Sequence, residues 1–186
     1  METKKLKRYL SSQNWGLIIL GSIFLIVGIG SLVILLPESD SVFKTLLTSL
    51  FVTGLGVLIL WVSVSSIREL NAQLQAMEAS GELARVLEDF AQGEVLVKGN
   101  VRLGKYYVFG KGSDRVIRYE EIRRVYQYIK KRNFVETTRC LKYVDPQGTT
   151  RDLCPLLLRG KSDEEALRIM NVIHSKNPTT QFGYTK

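Results

Sequence analysis

The chain has 186 residues, with 26 Lys and Arg against 18 Asp and Glu, one His and two Cys, for a formal net charge of +8. A single histidine excludes a histidine-based metal cluster or relay, and two cysteines exclude a disulfide framework, which fits a reducing compartment. The mean hydropathy of +0.03 averages an apolar front third and a charged remainder, two populations that have to be read separately.

The first 14 residues are basic, with Lys4, Lys5, Lys7 and Arg8 against Glu2. Two apolar stretches follow, Trp15 to Leu36 and Thr45 to Val64, and neither contains an Asp, Glu, Lys, Arg or His. Each is about the length of the roughly 20 residues that cross a hydrocarbon core of about 30 Å at 1.5 Å per residue. They predict a helical hairpin in a cell membrane. The link, residues 37–44, carries Glu38 and Asp40 against Lys44. Short loops rich in Lys and Arg stay cytoplasmic, so the expected topology has both termini inside and the link outside. A cleaved signal peptide is the competing reading of the first stretch. Its apolar region is longer than the usual 7–15 residues, and no small-x-small site follows.

Trp15 and Trp61 sit near span ends, where interfacial anchors belong. Pro37 is expected to stop the first helix. Gly21 and Gly28 share a face, and Gly54 and Gly56 lie mid-span in the second helix, so close packing within the hairpin is expected. The polar side chains the spans offer are Ser and Thr, among them Ser22, Ser31, Thr48, Ser49 and Thr53. Such groups commonly bond their own helix backbone, and the spans read as an anchor rather than a permeation path.

Residues 65–93 place Ile67, Leu70, Leu74 and Met77 on one helical stripe. This predicts an amphipathic connecting helix continuous with the second span. Ser80-Gly81 interrupts it, and a short helix follows with Leu83, Leu87, Phe90 and Ala91 on one face, ending at Gly93. The seam is too short to hold a coiled coil alone.

Residues 94–186 form the expected cytoplasmic domain. Six strands are predicted: Glu94 to Lys98, Lys105 to Phe109, Arg115 to Tyr119, Ile122 to Lys130, Phe134 to Val144 and Thr149 to Leu156, with turns at Gly99-Asn100, Gly110 to Asp114 and Asp145 to Gly148. Along the fourth, Val125, Gln127 and Ile129 alternate with Tyr126 and Tyr128, as on a sheet with one buried face. Asp145-Pro-Gln-Gly148 predicts a type I turn with Gly148 left-handed. The simplest register pairs Asp145 with Thr149, which sets Leu141 against Leu153 and Cys140 against Cys154. In the cytoplasm two free buried thiols are expected, with a redox-sensitive bond as the alternative. A final helix is capped by Ser162 and Glu165, has Asp163 and Glu164 in its first turn, and shows an apolar face of Ala166, Leu167, Met170 and Ile173. Asn177-Pro178 ends it, and His174 reads as a rim residue.

The run Val101-Arg-Leu-Gly-Lys-Tyr-Tyr-Val-Phe109, the run Ile117-Arg-Tyr-Glu-Glu-Ile122, the pair Val125-Tyr126, and the ending Lys176-Asn-Pro178 with Gly183-Tyr184 resemble small bacterial membrane proteins with two transmembrane helices and a pleckstrin-homology-like (PH-like) cytoplasmic domain. The resemblance implies a membrane helical hairpin plus a mainly-β (α+β) PH-like domain closed by a C-terminal helix. It also implies a binding or scaffold module, and it carries no catalytic residues or cofactor to this chain. Six predicted strands are one fewer than that fold uses.

Catalytic constellations are missing from the residues. Gly110-Lys-Gly112 lacks phosphate-loop spacing, and Glu120 and Glu121 are strand neighbours that point apart. Serine nucleophiles lack a base. No cofactor is expected. What remains are basic residues that an anionic lipid surface would attract: Lys98, Arg102 and Lys105 near the first hairpin, with Arg123, Arg124, Lys130, Lys131 and Arg132 flanking the aromatic strand. Tyrosines among these charges fit a nucleic-acid groove in isolation, but the membrane tether argues against nucleic acid. The expectation is a membrane-anchored, non-catalytic interaction or scaffold protein. Its partners are the bilayer, anionic lipids or a membrane-protein partner. Two further readings are an accessory subunit of a transport or secretion complex and an enzyme acting on lipid.

Overall fold

The computed structural model describes residues 2–35, 42–112, 115–133, 135–158 and 162–183. Pro37, Glu38, Asp40, the end of the Gly110–Asp114 turn, Phe134, the Ser162 side chain and Tyr184 lie outside the described residues, and so do the readings made on them. The protein divides into two compact units, one of Ser11–Ala79 and one of Met1–Leu10 with Ser80–Lys186.

The first unit is a pair of helices. Helix α1 spans Glu2–Leu35 and α2 spans Val42–Ala79, so the second apolar stretch and the amphipathic stripe form one helix, as expected. Both are long and apolar enough to cross a membrane. Their large apolar side chains point outward: Ile26 is 71% exposed, Val33 71%, Phe51 68% and Trp61 69%. That is the inverse of a soluble core helix, which hides such groups.

What the helices bury is small. A Cβ on Gly21 would lie 2.9 Å from Leu60 Cγ, one on Gly56 would lie 2.8 Å from the Leu25 amide nitrogen, and one on Gly28 would collide with Thr53. Gly54 has open space at the same place, so only Gly56 of that pair serves packing. Ser31 and Ser49 hydroxyls bond each other at 2.6 Å across the pair. Ser22, Thr48, Thr53 and Ser63 donate to carbonyls of their own helix, which satisfies them without water. Farther along α2, Leu70 and Leu74 of the predicted stripe are buried.

The second unit is an α+β fold. After α3 (Leu83–Gln92), four antiparallel strands form one sheet in the order β1-β2-β3-β4: Glu94–Leu96, Val101–Leu103, Tyr107–Gly110 and Val116–Arg118. The other sheet has the order β7-β6-β5-β8, from β5 (Arg124–Arg132), β6 (Val135–Val144), β7 (Thr150–Pro155) and a short β8 (Gln181–Phe182) that runs parallel to β5. Helix α4 (Ser162–Lys176) lies between β7 and β8 in the chain. Val101, Val108, Ile117, Ile122, Val125, Leu141, Leu153, Ile169 and Ile173 make one core shared by both sheets and α4.

Several expectations are corrected. The first predicted strand breaks at Val97, because Val97, Lys98 and Gly99 all take positive φ (52°, 49° and 85°). The chain turns back there, burying Val97 completely, and Val101–Leu103 forms an additional strand, which makes seven ahead of α4 among the described residues. In α3 the buried face is Val86, Asp89 and Phe90, while Ala91 is exposed. In α4 the 166–169–173 stripe is buried and Leu167 is 58% exposed. Along β5, burial fades rather than alternating: Val125 and Tyr126 are both buried and Ile129 is 38% exposed, because the β5–β6 ladder outruns the core.

The Asp145–Gly148 turn forms as predicted, with the Gly148 amide donating to the Asp145 carbonyl at 3.0 Å and Gly148 at φ +84°. The register beyond it differs. A bulge inserts Leu153, so Leu141 faces Cys154 and Cys140 faces Pro155. A bulge lets Leu153 and Cys154 both reach the core, where each is fully buried. Leu153 also offers its carbonyl to the Gly112 amide at 3.1 Å. Gly112 is a glycine because β7 passes too close for a Cβ, a stricter reason than a tight turn. Both cysteines are free thiols.

Candidate functional site: a basic cleft at the β2–β3 turn

The site is built from Asp89 outward. Asp89 is a buried carboxylate on α3, 4% exposed. It accepts three successive amides, from Lys105 at 2.5 Å, Tyr106 at 3.0 Å and Tyr107 at 2.9 Å. Charge-assisted bonds of this kind are the strong ones, and they fold residues 104–107 over the end of α3. Gly104 has no room for a Cβ beside that carboxylate. The Tyr119 hydroxyl donates to the Gly104 carbonyl at 2.9 Å from the other side. Burial, with Asp89 adding to it, pushes the Tyr119 phenol well above its ordinary range.

The turn so fixed carries Lys105 and Tyr106 into a cleft of about 370 Å³. Arg85, one turn of α3 before Asp89, lies over the Tyr106 ring at 4.7 Å, and Lys105 Nζ lies 5.0 Å from the same centroid. Arg118, at the end of β4, pairs with Glu82. Buried Tyr107 forms part of the wall, and its phenol is raised by burial and by Glu82 despite Arg118. Lys176 enters from the last turn of α4. It is placed there by Asn177, whose buried side-chain amide donates to the Tyr119 and Ile122 carbonyls at 2.9 Å and 3.2 Å. Thr180 adds a hydroxyl bond to Ile122 at 2.8 Å. The Lys176-Asn-Pro178 ending is therefore a clasp between α4 and the chain that leaves β4.

The eight sequence-predicted residues fall in several places. Lys105 lines this cleft. Arg123 and Arg124 line a second, larger cleft of about 620 Å³ with Val144, Gly148 and Thr179, and Arg124 is held by the Gln181 side chain at 2.8 Å. Lys130, Lys131 and Arg132 are exposed at the far end of the β5–β6 hairpin, where Asn133 turns the chain at φ +49°. Lys98 is exposed on the turn between β1 and β2. Arg102 is half-buried: its guanidinium donates to the Phe90 carbonyl and lies 4.3 Å from the Phe90 ring and 5.8 Å from the Tyr9 ring. Protein groups thus surround this guanidinium.

That packing joins the basic N-terminus to the domain. Leu6 and Leu10 are buried, Tyr9 meets Phe90 edge-on at 5.3 Å, and Phe90 meets Phe109 at 5.2 Å. Arg115 donates to the Leu10 carbonyl. Sequence reading missed Arg85, Arg118 and Lys176, which sit in three separate elements with no shared motif. Among the described residues, no group of three or more His, Cys, Asp or Glu side chains is gathered so as to hold a metal ion. His174 is a rim residue as expected, its Nδ1 3.0 Å from the Thr180 carbonyl and its ring 4.9 Å from Phe182.

No protein-family model, curated protein or solved structure matches the chain.

Proposed function

We propose that this protein is a membrane-anchored, non-catalytic interaction module: a helical hairpin in the bilayer carrying a PH-like domain whose basic strand ends contact the anionic inner face. The observation that carries this reading is the outward-facing apolar surface of α1 and α2, with Ile26, Val33 and Phe51 each about 70% exposed. Such a surface needs lipid. Seven strands in two sheets, followed by the core-forming helix α4, support the PH-like reading. A domain tethered at a membrane feels its surface potential, worth about 1 kcal/mol for each Lys or Arg that reaches it. The exposure of Lys130, Lys131 and Arg132 at the end of the β5–β6 hairpin, beyond the core, supports this reading.

The test places the full chain in nanodiscs of neutral or anionic lipid and follows tryptic cleavage at 130–132. Protection by anionic lipid that disappears at high salt is expected, because exposed charges are screened within about 10 Å at 0.1 M salt. Equal cleavage in both lipids overturns the lipid-contact reading and makes the domain a docking module for protein.

A further inference from the structure

We infer that the cleft at the β2–β3 turn is a binding site for a small phosphate-bearing anion, either a soluble phosphomonoester or the same group on a lipid. This goes beyond the membrane-contact reading and does not rest on it, since the cleft and the hairpin tip are different places.

Arg118 and Glu82 neutralise each other. Arg85, Lys105 and Lys176 then face Glu120 as the remaining carboxylate of the lining, a local excess of two positive charges. Among the described residues none of these three cations has a carboxylate partner. Three cations facing one carboxylate repel one another, and an anion that joins them relieves that repulsion. A phosphomonoester carries about −1.5 to −2 charges at pH 7, which matches the excess.

Arg85 and Lys105 are both held on Tyr106, which reduces the freedom they lose on binding. Tyr106 sits on a turn that Asp89 ties down by three amides, so the cations stand on a rigid base. Lys176 closes the third side from α4, fixed by the Asn177 clasp. At about 370 Å³ the cleft is within the range of about 300–1,000 Å³ that small-molecule sites occupy. Arg supplies a planar fork for two phosphate oxygens and the lysines supply point charges.

The experiment uses the full chain in neutral-detergent micelles, titrated with glycerol 3-phosphate and followed by calorimetry. Saturable binding is expected. The triple variant Arg85→Gln, Lys105→Gln, Lys176→Gln should weaken it about tenfold for each cation removed. The control variant Lys4→Gln, Lys7→Gln, Arg8→Gln loses the same charge at the exposed start of α1 and should bind within about twofold of the parent. A second arm uses neutral-lipid nanodiscs doped with phosphatidic acid and reads hydrogen exchange at the amides of residues 104–107. Protection there that the cleft variant abolishes assigns the lipid as the source, and binding of glycerol 3-phosphate alone assigns a soluble ligand. Equal weakening in both triple variants overturns the site in favour of diffuse charge attraction. So does the lack of saturable binding in both arms.

Discussion

Gly104 lies directly against the Asp89 carboxylate, and a Cβ at position 104 would collide with Asp89 Oδ2. One residue of α3 and one of the β2–β3 turn therefore define each other. The carboxylate needs the bare backbone to reach three amides, and the amides need the carboxylate because the turn leaves them without a strand partner.

Asp89→Ala strands three amides, one of them on buried Tyr107, and should lower stability by on the order of 3 kcal/mol. Gly104→Ala should cost about 2 kcal/mol through overpacking. The two changes touch the same contact, so the double variant should lose less than the sum. Chemical unfolding of the full chain in detergent checks this, and strict additivity would show that the carboxylate does not hold the turn.

Stability should fall in alkali. Burial pushes the Cys154 thiol up to about 12 from an ordinary value of 9.0, and burial also raises Tyr107 and Tyr119 from 10.0. The folded chain thus keeps protons that the unfolded chain releases. The stabilisation is complete below pH 9.0 and declines as pH rises toward 12. Cys154→Ala should remove one proton from that dependence, about 1.4 kcal/mol per pH unit between 9 and 11. Denaturant midpoints measured across pH 8–11 read it directly. The same burial should leave Cys154 unreactive to maleimide in the folded chain.

The hairpin contact predicts a crosslink. The Ser31 and Ser49 hydroxyls are 2.6 Å apart, so Ser31→Cys with Ser49→Cys should oxidise within one chain and change gel mobility without forming dimers. Ser31→Ala alone should cost only about 0.6 kcal/mol. Gly28→Leu should separate the helices, since a Cβ there already collides with Thr53, and it should abolish the crosslink.

Sidedness gives a further test. With both termini inside, a protease confined to the outer face should leave the Ser80–Lys186 part of the chain intact. Its digestion would reverse the topology.

The Asp145–Gly148 turn was legible because its chemistry is local: Pro146 and Gly148 set backbone angles within four residues. The register beyond it was not. Whether Cys140 meets Cys154 depends on the bulge at Leu153, and that bulge answers to the core and to the Gly112 amide across the fold. Leu167 and Ile169 make the same point on α4, where spacing located a stripe but the sheet chose which edge of it to bury.

The sequence by itself determined the two apolar helices, the small residues between them and the alternation of strands with turns, because hydrophobic length and backbone preference act over neighbouring residues. Only the tertiary structure decided that Arg85, Lys105 and Lys176 share one cleft while Arg102 packs among aromatic rings. Those outcomes depend on which sheet edge, helix end and turn meet in space, and they follow from closing the core rather than from any spacing along the chain.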